Sequence, residues 1–197
     1  MKKAIAFFDF DGTITKKDTL LEFIRFSKGS LRFYLGFLIN IHYLVAYKIK
    51  LISNQAAKEK VLEFFFKGTP VSVFAKQCGH FTKQVLPGLI RSKAQEEIEK
   101  LKSAGFIIVI VSASPENWIQ TWCNDADVEL IASRLEIKDD KLTGKIIGKN
   151  CHGNEKVRRI MEKYVVTEYD EIYAYGDTSG DLPMLELATQ PFYRAFH

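Results

Sequence analysis

The sequence predicts an α/β fold, a parallel sheet whose first strand is separated from the others by an all-helical insertion. Three observations carry that prediction. Two apolar runs, Ala4-Ile5-Ala6-Phe7-Phe8 and Phe106-Ile107-Ile108-Val109-Ile110-Val111, read as strands buried on both faces. The 18–85 stretch between them shows helical periodicity and no strong strand signal. Beyond it strands and helices alternate, the pattern of a parallel sheet with right-handed crossovers. A chain of 197 residues has room for one such domain with a modest insertion.

The elements follow in order. Residues 4–9 form the first strand and run into Asp9-Phe10-Asp11-Gly12-Thr13. Asp9 and Asp11 share one side of the chain while it stays extended. They lie at the strand's carboxyl end, where open α/β sheets build their sites. Two like charges so close need a metal, a shared proton or a cationic partner. Asp18 caps a first helix, and Ser30 caps a second that runs to about Lys50. Asn54 to Phe66 is a third, stopped by Lys67-Gly68 and Pro70. Val71 to Val85 is a fourth, and Pro87-Gly88 marks the return to the sheet.

Leu89 to Ala104 is amphipathic and closes at Gly105. The second apolar strand leads directly into Ser112, and Pro115 opens a helix at its first turn. Leu130-Ile131-Ala132 is a further strand. Residues 134–138 and 141–146 flank Asp139-Asp140 as a hairpin. Gly153 to Tyr164 is a helix, and Glu171 to Tyr175 a strand from which Gly176-Asp177 turns away.

The composition narrows the function classes. A net charge of +4 suits anionic substrates, but there is no basic repeat or RNA-binding signature, so nucleic acid is not an expected partner. Cys78, Cys123 and Cys151 form no CxxC and no disulfide framework, which points to a reducing compartment, the cytoplasm. Met1-Lys2-Lys3 looks like the start of a signal peptide, but Asp9 and Asp11 interrupt the apolar stretch too early. Cys78-Gly79-His80 and Cys151-His152 have no zinc-site spacing, and Trp118 and Trp122 read as packing residues.

Four polar segments sit at strand ends or helix starts: Asp9-Phe10-Asp11-Gly12-Thr13, Ser112, Lys156 within Gly153-Asn154-Glu155-Lys156, and Gly176-Asp177-Thr178-Ser179-Gly180-Asp181. Together they supply a nucleophile, an acid/base, a cation and phosphate-binding donors. In these motifs and their order the chain resembles the haloacid dehalogenase-like superfamily of aspartate-based phosphatases, over nearly its whole length. Residues 137–144 further resemble the hairpin of the phosphoserine phosphatase-like members, subfamily IB.

The resemblance implies a Rossmann-like core of residues 1–16 and 86–197, with residues 17–85 as a helical cap. It implies a phosphomonoester hydrolase in which Asp9 attacks phosphorus and Asp11 protonates the leaving alcohol, then activates water. Mg²⁺ would be held by Asp9, the main-chain carbonyl of Asp11, and Asp177, with Asp181 in support. Ser112 and Lys156 would bind the phosphoryl oxygens, with Gly12, Thr13 and Ala113 beside them. The physics agrees: phosphoryl transfer needs positioning and charge neutralisation, and Mg²⁺ takes hard oxygen ligands. A phosphotransferase would use the same groups. A phospho-receiver module also combines clustered acids with a Ser/Thr and a Lys, but it places its acid pair before a separate acceptor strand and lacks a large helical insertion.

The cap should select the substrate. Phosphoserine phosphatases pair a cap glutamate, nine residues after the nucleophile, with a cap arginine; here Asp18 takes the first position and Lys60 falls near the second. Asp is shorter than Glu, and Lys lacks the bidentate fork of Arg, so phosphoserine is not the expected substrate. Residues 33–47 form an uncharged apolar run, shorter than the ~20 residues that span a bilayer. The expectation is a buried cap helix or a homodimer face. The alternative is an apolar channel or peripheral membrane contact flanked by Arg32, Lys48 and Lys50, which would make a lipid phosphate such as phosphatidylglycerophosphate a candidate substrate beside soluble small molecules.

Overall fold

A computed structural model describes residues 3–197; Met1 and Lys2, which open the leader-like segment, lie outside the described residues. The central strand is β1 (Ala4–Phe8). β2 (Ile107–Pro115) and β6 (Glu171–Gly176) flank it, and β3 (Glu129–Ser133) and β7 (Gln190–Tyr193) form the edges, in the order β3-β2-β1-β6-β7. Every pairing in this sheet is parallel. Phe8 stands opposite both Ile110 and Tyr175, so the chain leaves β1 at Asp9 on the same edge as Ser112 and Asp177. This register gathers the four polar segments.

Alternation along the strands splits the core between the sheet's two faces. Ala6, Phe8, Ile108 and Ile110 belong to one cluster, with Ala94 and Ile98 of α7 (Ser92–Ser103) and Trp118 of α8 (Glu116–Asp125). Ile5, Phe7, Val109 and Val111 belong to the other, with Ile160 of α9 (Asn154–Lys163) and Met184 of α10 (Leu182–Leu185).

Between β1 and α7 lie α1 (Thr19–Lys28), α2 (Ser30–Ile39), α3 (Ile41–Lys48), α4 (Asn54–Phe66), α5 (Val71–Gln84) and the single turn α6 (Leu86–Leu89). Their core is aromatic: Phe23 stacks on Trp118 at 4.6 Å and meets Phe74 and Phe81 edge-on at 5.4 Å. The expected helix 30–50 is broken in two at Asn40, whose amide nitrogen turns back to the Gly36 carbonyl at 2.8 Å. The expected helix from Leu89 begins instead at Ser92, because residue 90 pairs with Thr15 in an isolated bridge. The burial expected of residues 33–47 holds on one face only: Gly36 is the sole buried residue of α2, and α3 has none. No helix among the described residues is long and apolar enough to cross a membrane.

β4 (Leu135–Lys138) and β5 (Lys141–Ile146) form a separate antiparallel hairpin, whose turn residues Asp139 and Asp140 take φ of 50° and 56°, as a type I′ turn requires. The hairpin is joined to the helical insertion by main-chain hydrogen bonds from Gly68 N to Leu142 O (2.8 Å), Leu142 N to Thr69 O (3.0 Å) and Val71 N to Asp140 O (2.9 Å). Edge strand β7 was not anticipated: it is four residues long and contains Pro191, which only an edge tolerates.

Candidate active site

Asp9 follows β1 with its carboxylate buried. Its Oδ1 accepts a hydrogen bond from Lys156 Nζ at 2.5 Å, and its Oδ2 lies 3.2 Å from the Thr13 hydroxyl. Lys156 stands in the first turn of α9 and is 1% exposed. Its ammonium also donates to Val111 O and Asp181 Oδ1, both at 2.7 Å, so all three protons are used. Burial works against the charge on Lys156, but Asp9 and Asp181 outweigh it and raise the pKa. Burial pushes the Asp9 carboxyl up to about 7 against the pull of Lys156, with Asp181 and Asp11 adding to the rise.

The loop after β6 brings the remaining acids. Asp181 Oδ2 accepts from Thr178 N (3.0 Å), Thr178 Oγ1 (2.9 Å) and Asp177 N (3.2 Å). Burial pushes the Asp181 carboxyl up, but Lys156 and these donors hold it below its usual range. Asp177 Oδ1 lies 3.2 Å from Thr13 Oγ1, so one hydroxyl faces both Asp9 and Asp177. Burial and then Asp181 raise the Asp177 carboxyl. Gly12 has φ +85°, and a Cβ there would overlap the Asp177 carboxylate. The residue is glycine for both reasons.

Single oxygens of Asp9, Asp177 and Asp181 lie within 4.8 Å of one another. Three carboxylates thus cluster beside one ammonium, which bonds Asp9 and Asp181 but not Asp177. The excess negative charge and the all-oxygen donor set fit a hard divalent cation.

The Asp11 side chain turns away from this cluster. Its Oδ1 accepts from the Thr19 backbone and hydroxyl, each at 2.6 Å, and its Oδ2 from Ser114 Oγ at 2.6 Å. Ser112 is fully buried; its Oγ accepts from Ser114 N at 3.0 Å and stands 3.5 Å from Asp11 Oδ2. Ala113 and Ser114, not Ser112, line the cleft. That cleft holds about 400 Å³. Asp9, Asp11, Lys156 and Asp181 form its polar end, and Leu20, Phe37, Leu44 and Val61 an apolar wall.

Asp18 lines the cleft and caps α1, accepting from Leu21 N at 3.0 Å. Lys60 does not line it and pairs with Glu63 at 2.9 Å. The lysine of the helical insertion that lines the cleft is Lys58, whose Nζ donates to Ala113 O at 2.7 Å. Burial lowers its pKa against the pull of Asp18 and Asp11. Sequence reasoning missed Lys58, Thr19, Ser114 and His152, another cleft residue. For Lys58 a signal existed: Asn54, Ala57, Lys58 and Val61 recur at the spacing of one helix face, and all four line the cleft.

A family model described as haloacid dehalogenase-like hydrolase matches residues 6–186. Protein CicA of Caulobacter vibrioides is 33% identical over 191 residues, covering 96% of this chain and 85% of that protein. The phosphoserine phosphatase of Methanocaldococcus jannaschii is 26% identical over 200 residues, covering 95% and 83%. Among solved structures, a protein of unknown function from Bordetella pertussis Tohama I superposes with a TM-score of 0.82 at 21% identity, over 97% of this chain and 89% of that one. A substrate-bound phosphoserine phosphatase gives 0.70 at 20% identity, over 95% and 84%. These two superpositions speak to the fold.

Proposed function

The chain belongs to the haloacid dehalogenase-like hydrolases and is a phosphatase, and on that premise we propose that it is a Mg²⁺-dependent enzyme that cleaves a phosphomonoester through an aspartyl phosphate on Asp9. The observation that carries this reading is the pairing of Asp9 with Lys156 inside a three-carboxylate cluster at the polar end of a cleft.

An Asp9 carboxylate oxygen attacks phosphorus, and the ester P–O bond breaks. Asp11 gives its proton to the departing alkoxide. In the second half, Asp11 takes a proton from water as that water attacks the aspartyl phosphate, releasing inorganic phosphate and restoring Asp9. Lys156 holds Asp9 and Asp181 in place and offsets their charge. Ser112 orders the turn that presents Ala113 and Ser114 to the phosphoryl oxygens, opposite Gly12 and Thr13. Asp9, Asp177 and the Asp11 carbonyl would hold Mg²⁺, with Asp181 supporting it directly or through water. When bound, the ion offsets the charge of the phosphoryl oxygens and lets Asp9 stand ionised.

Residues 17–85 act as the cap that selects the leaving group, with Asp18 and Lys58 facing it. The apolar wall of Leu20, Phe37, Leu44 and Val61 favours a second, finer reading, in which the alcohol carries an apolar part and a lipid phosphate such as phosphatidylglycerophosphate is a substrate. The three buried, unpaired thiols accord with action in a reducing compartment, the cytoplasm.

The test is phosphate release from p-nitrophenyl phosphate and from a panel of metabolite and lipid monoesters, with Mg²⁺ and with an Asp9→Asn control. Turnover by the wild type that vanishes in the control is expected. Wild-type inactivity across the panel, or full activity of the control, would overturn the reading. Adding a competing alcohol separates hydrolase from phosphotransferase, since only the latter yields a new ester.

A further inference from the structure

Helix α2 is apolar on both sides. One side, with Phe33, Gly36 and Phe37, packs towards α4: Phe37 meets Phe65 at 5.8 Å between ring centres, and a Cβ at Gly36 would overlap Phe65. The other side exposes Leu31 (76%), Tyr34, Leu35, Leu38 (65%) and Ile39. That spacing is the stripe a surface helix ordinarily turns to the core. Ile41, Val45, Ile49 and Leu51 (74%) continue it along α3 and beyond. Scattered exposed apolar residues need no explanation, but a contiguous face on successive helices marks an interaction site.

The charges of the segment that carries this face have one sign. No Asp or Glu occurs between Glu22 and Glu59, whereas Arg25, Lys28, Arg32, Lys48 and Lys50 do. A second copy of the chain would bring this cationic segment against itself across a two-fold axis, with no acid within the segment to relieve it. An anionic surface with an apolar interior matches both the cationic segment and the stripe. Phe37, Leu44 and Tyr47 line the cleft, so the two helices that carry the outer face also supply part of the cleft's wall from their other side.

We propose that the outer face of α2 and α3 docks on an anionic lipid bilayer, lying in its interfacial layer and placing the cleft beside the headgroups. The docking itself follows from the face; that the cleft receives a phosphomonoester there rests on the phosphatase reading.

Flotation of the full chain with vesicles of phosphatidylcholine alone, or mixed with phosphatidylglycerol, tests it. Binding to the mixed vesicles, weakened by salt, is expected, with little binding to phosphatidylcholine alone. Leu35→Glu/Leu38→Glu should lower partition at least ~10-fold, and Arg32→Glu/Lys48→Glu by about fivefold or more for each site. Hydrolysis of soluble p-nitrophenyl phosphate should be unchanged in both variants, which also reports that they fold. An active wild type that stays unbound, binding that ignores the leucine substitutions, or a dimer dissociated by them without vesicle binding would each overturn the docking. Vesicle binding without any phosphate release would leave the docking standing and remove the phosphatase reading.

Discussion

Thr19 holds Asp11 twice, through its backbone N–H and its hydroxyl, both 2.6 Å from Asp11 Oδ1. Trp118 Nε1 donates to the same hydroxyl at 3.0 Å, which leaves its proton for Asp11. Because Thr19 is the first residue of α1, the start of the helical insertion positions the proposed acid/base. Thr19→Val keeps the N–H and loses the hydroxyl. We expect kcat on p-nitrophenyl phosphate to fall roughly 10- to 100-fold with KM little changed, and Thr19→Ser to restore most of it. The orphaned indole N–H should cost about 1–3 kcal/mol in urea unfolding. An unchanged kcat in Thr19→Val would remove the positioning role.

Gly12 admits no side chain because of Asp177 and because of its own positive φ. Gly12→Ala should displace the Asp177 carboxylate and lower kcat/KM on the order of 100-fold. Stability should fall by only about 1–2 kcal/mol, the cost of a non-glycine residue at this φ. Comparing turnover with thermal unfolding of the same variant separates the two effects.

Lys156→Met leaves Asp9 and Asp181 buried without their shared cation. The expected loss is about 3–5 kcal/mol in denaturant unfolding, with no detectable turnover. Lys60→Met, which loses a surface pair with Glu63 and an exposed approach to the Tyr43 ring, should change stability by less than about 1 kcal/mol.

Glu155 anchors the helix that carries Lys156, accepting from Arg158 at 2.6 Å and from Arg159 at 2.9 Å. Arg158 first, and then Arg159, pull its carboxyl from the ordinary 4.5 to about 2 in spite of its burial. A carboxyl depressed in the folded state stabilises above its unfolded pKa and loses that contribution as pH falls through the folded one. The contribution is therefore complete above about pH 5 and gone near pH 2. Arg158 is half exposed, so screening reduces it to ~1 kcal/mol. Glu155→Gln should be less stable than wild type by that amount at pH 7 and converge with it in acid, as measured by urea unfolding at several pH values.

The proposed metal site can be tested without any substrate. Mg²⁺ at about 100 times its Kd adds ~2.7 kcal/mol, or roughly 5–10 °C in Tm for a domain of this size. Asp177→Asn should abolish most of that shift, because it removes one carboxylate of the cluster. Equal shifts in both proteins would move the ion elsewhere.

The sheet's centre and the four polar segments were legible because each segment directly follows an apolar strand or opens a helix, so local pattern and site location coincide. What was not legible depended on how helices lie against other parts. Lys58 and Lys60 are two positions apart, about 200° around a helix, and only the seating of α4 on the hairpin and on α2 decides which enters the cleft. The outward stripe of α2 has the same spacing as its inward one, so periodicity did not reveal that one apolar side stays uncovered. At the break, the Asn40 side-chain amide and main-chain N–H both donate to Gly36 O, a local arrangement that composition does not register.

The main-chain bonds joining Gly68, Thr69 and Val71 to the β4–β5 hairpin have a mechanical meaning. The hairpin lies after β3 in the chain, yet its ladder extends into the helical insertion through the bridge between Pro70 and Lys141. Any swing of those helices that kept these bonds would carry the hairpin along, so the moving body would be discontinuous in sequence. The Leu142 amide, bonded to Thr69 O, should then exchange its hydrogen with the opening of that body and not with the unfolding of the parallel sheet.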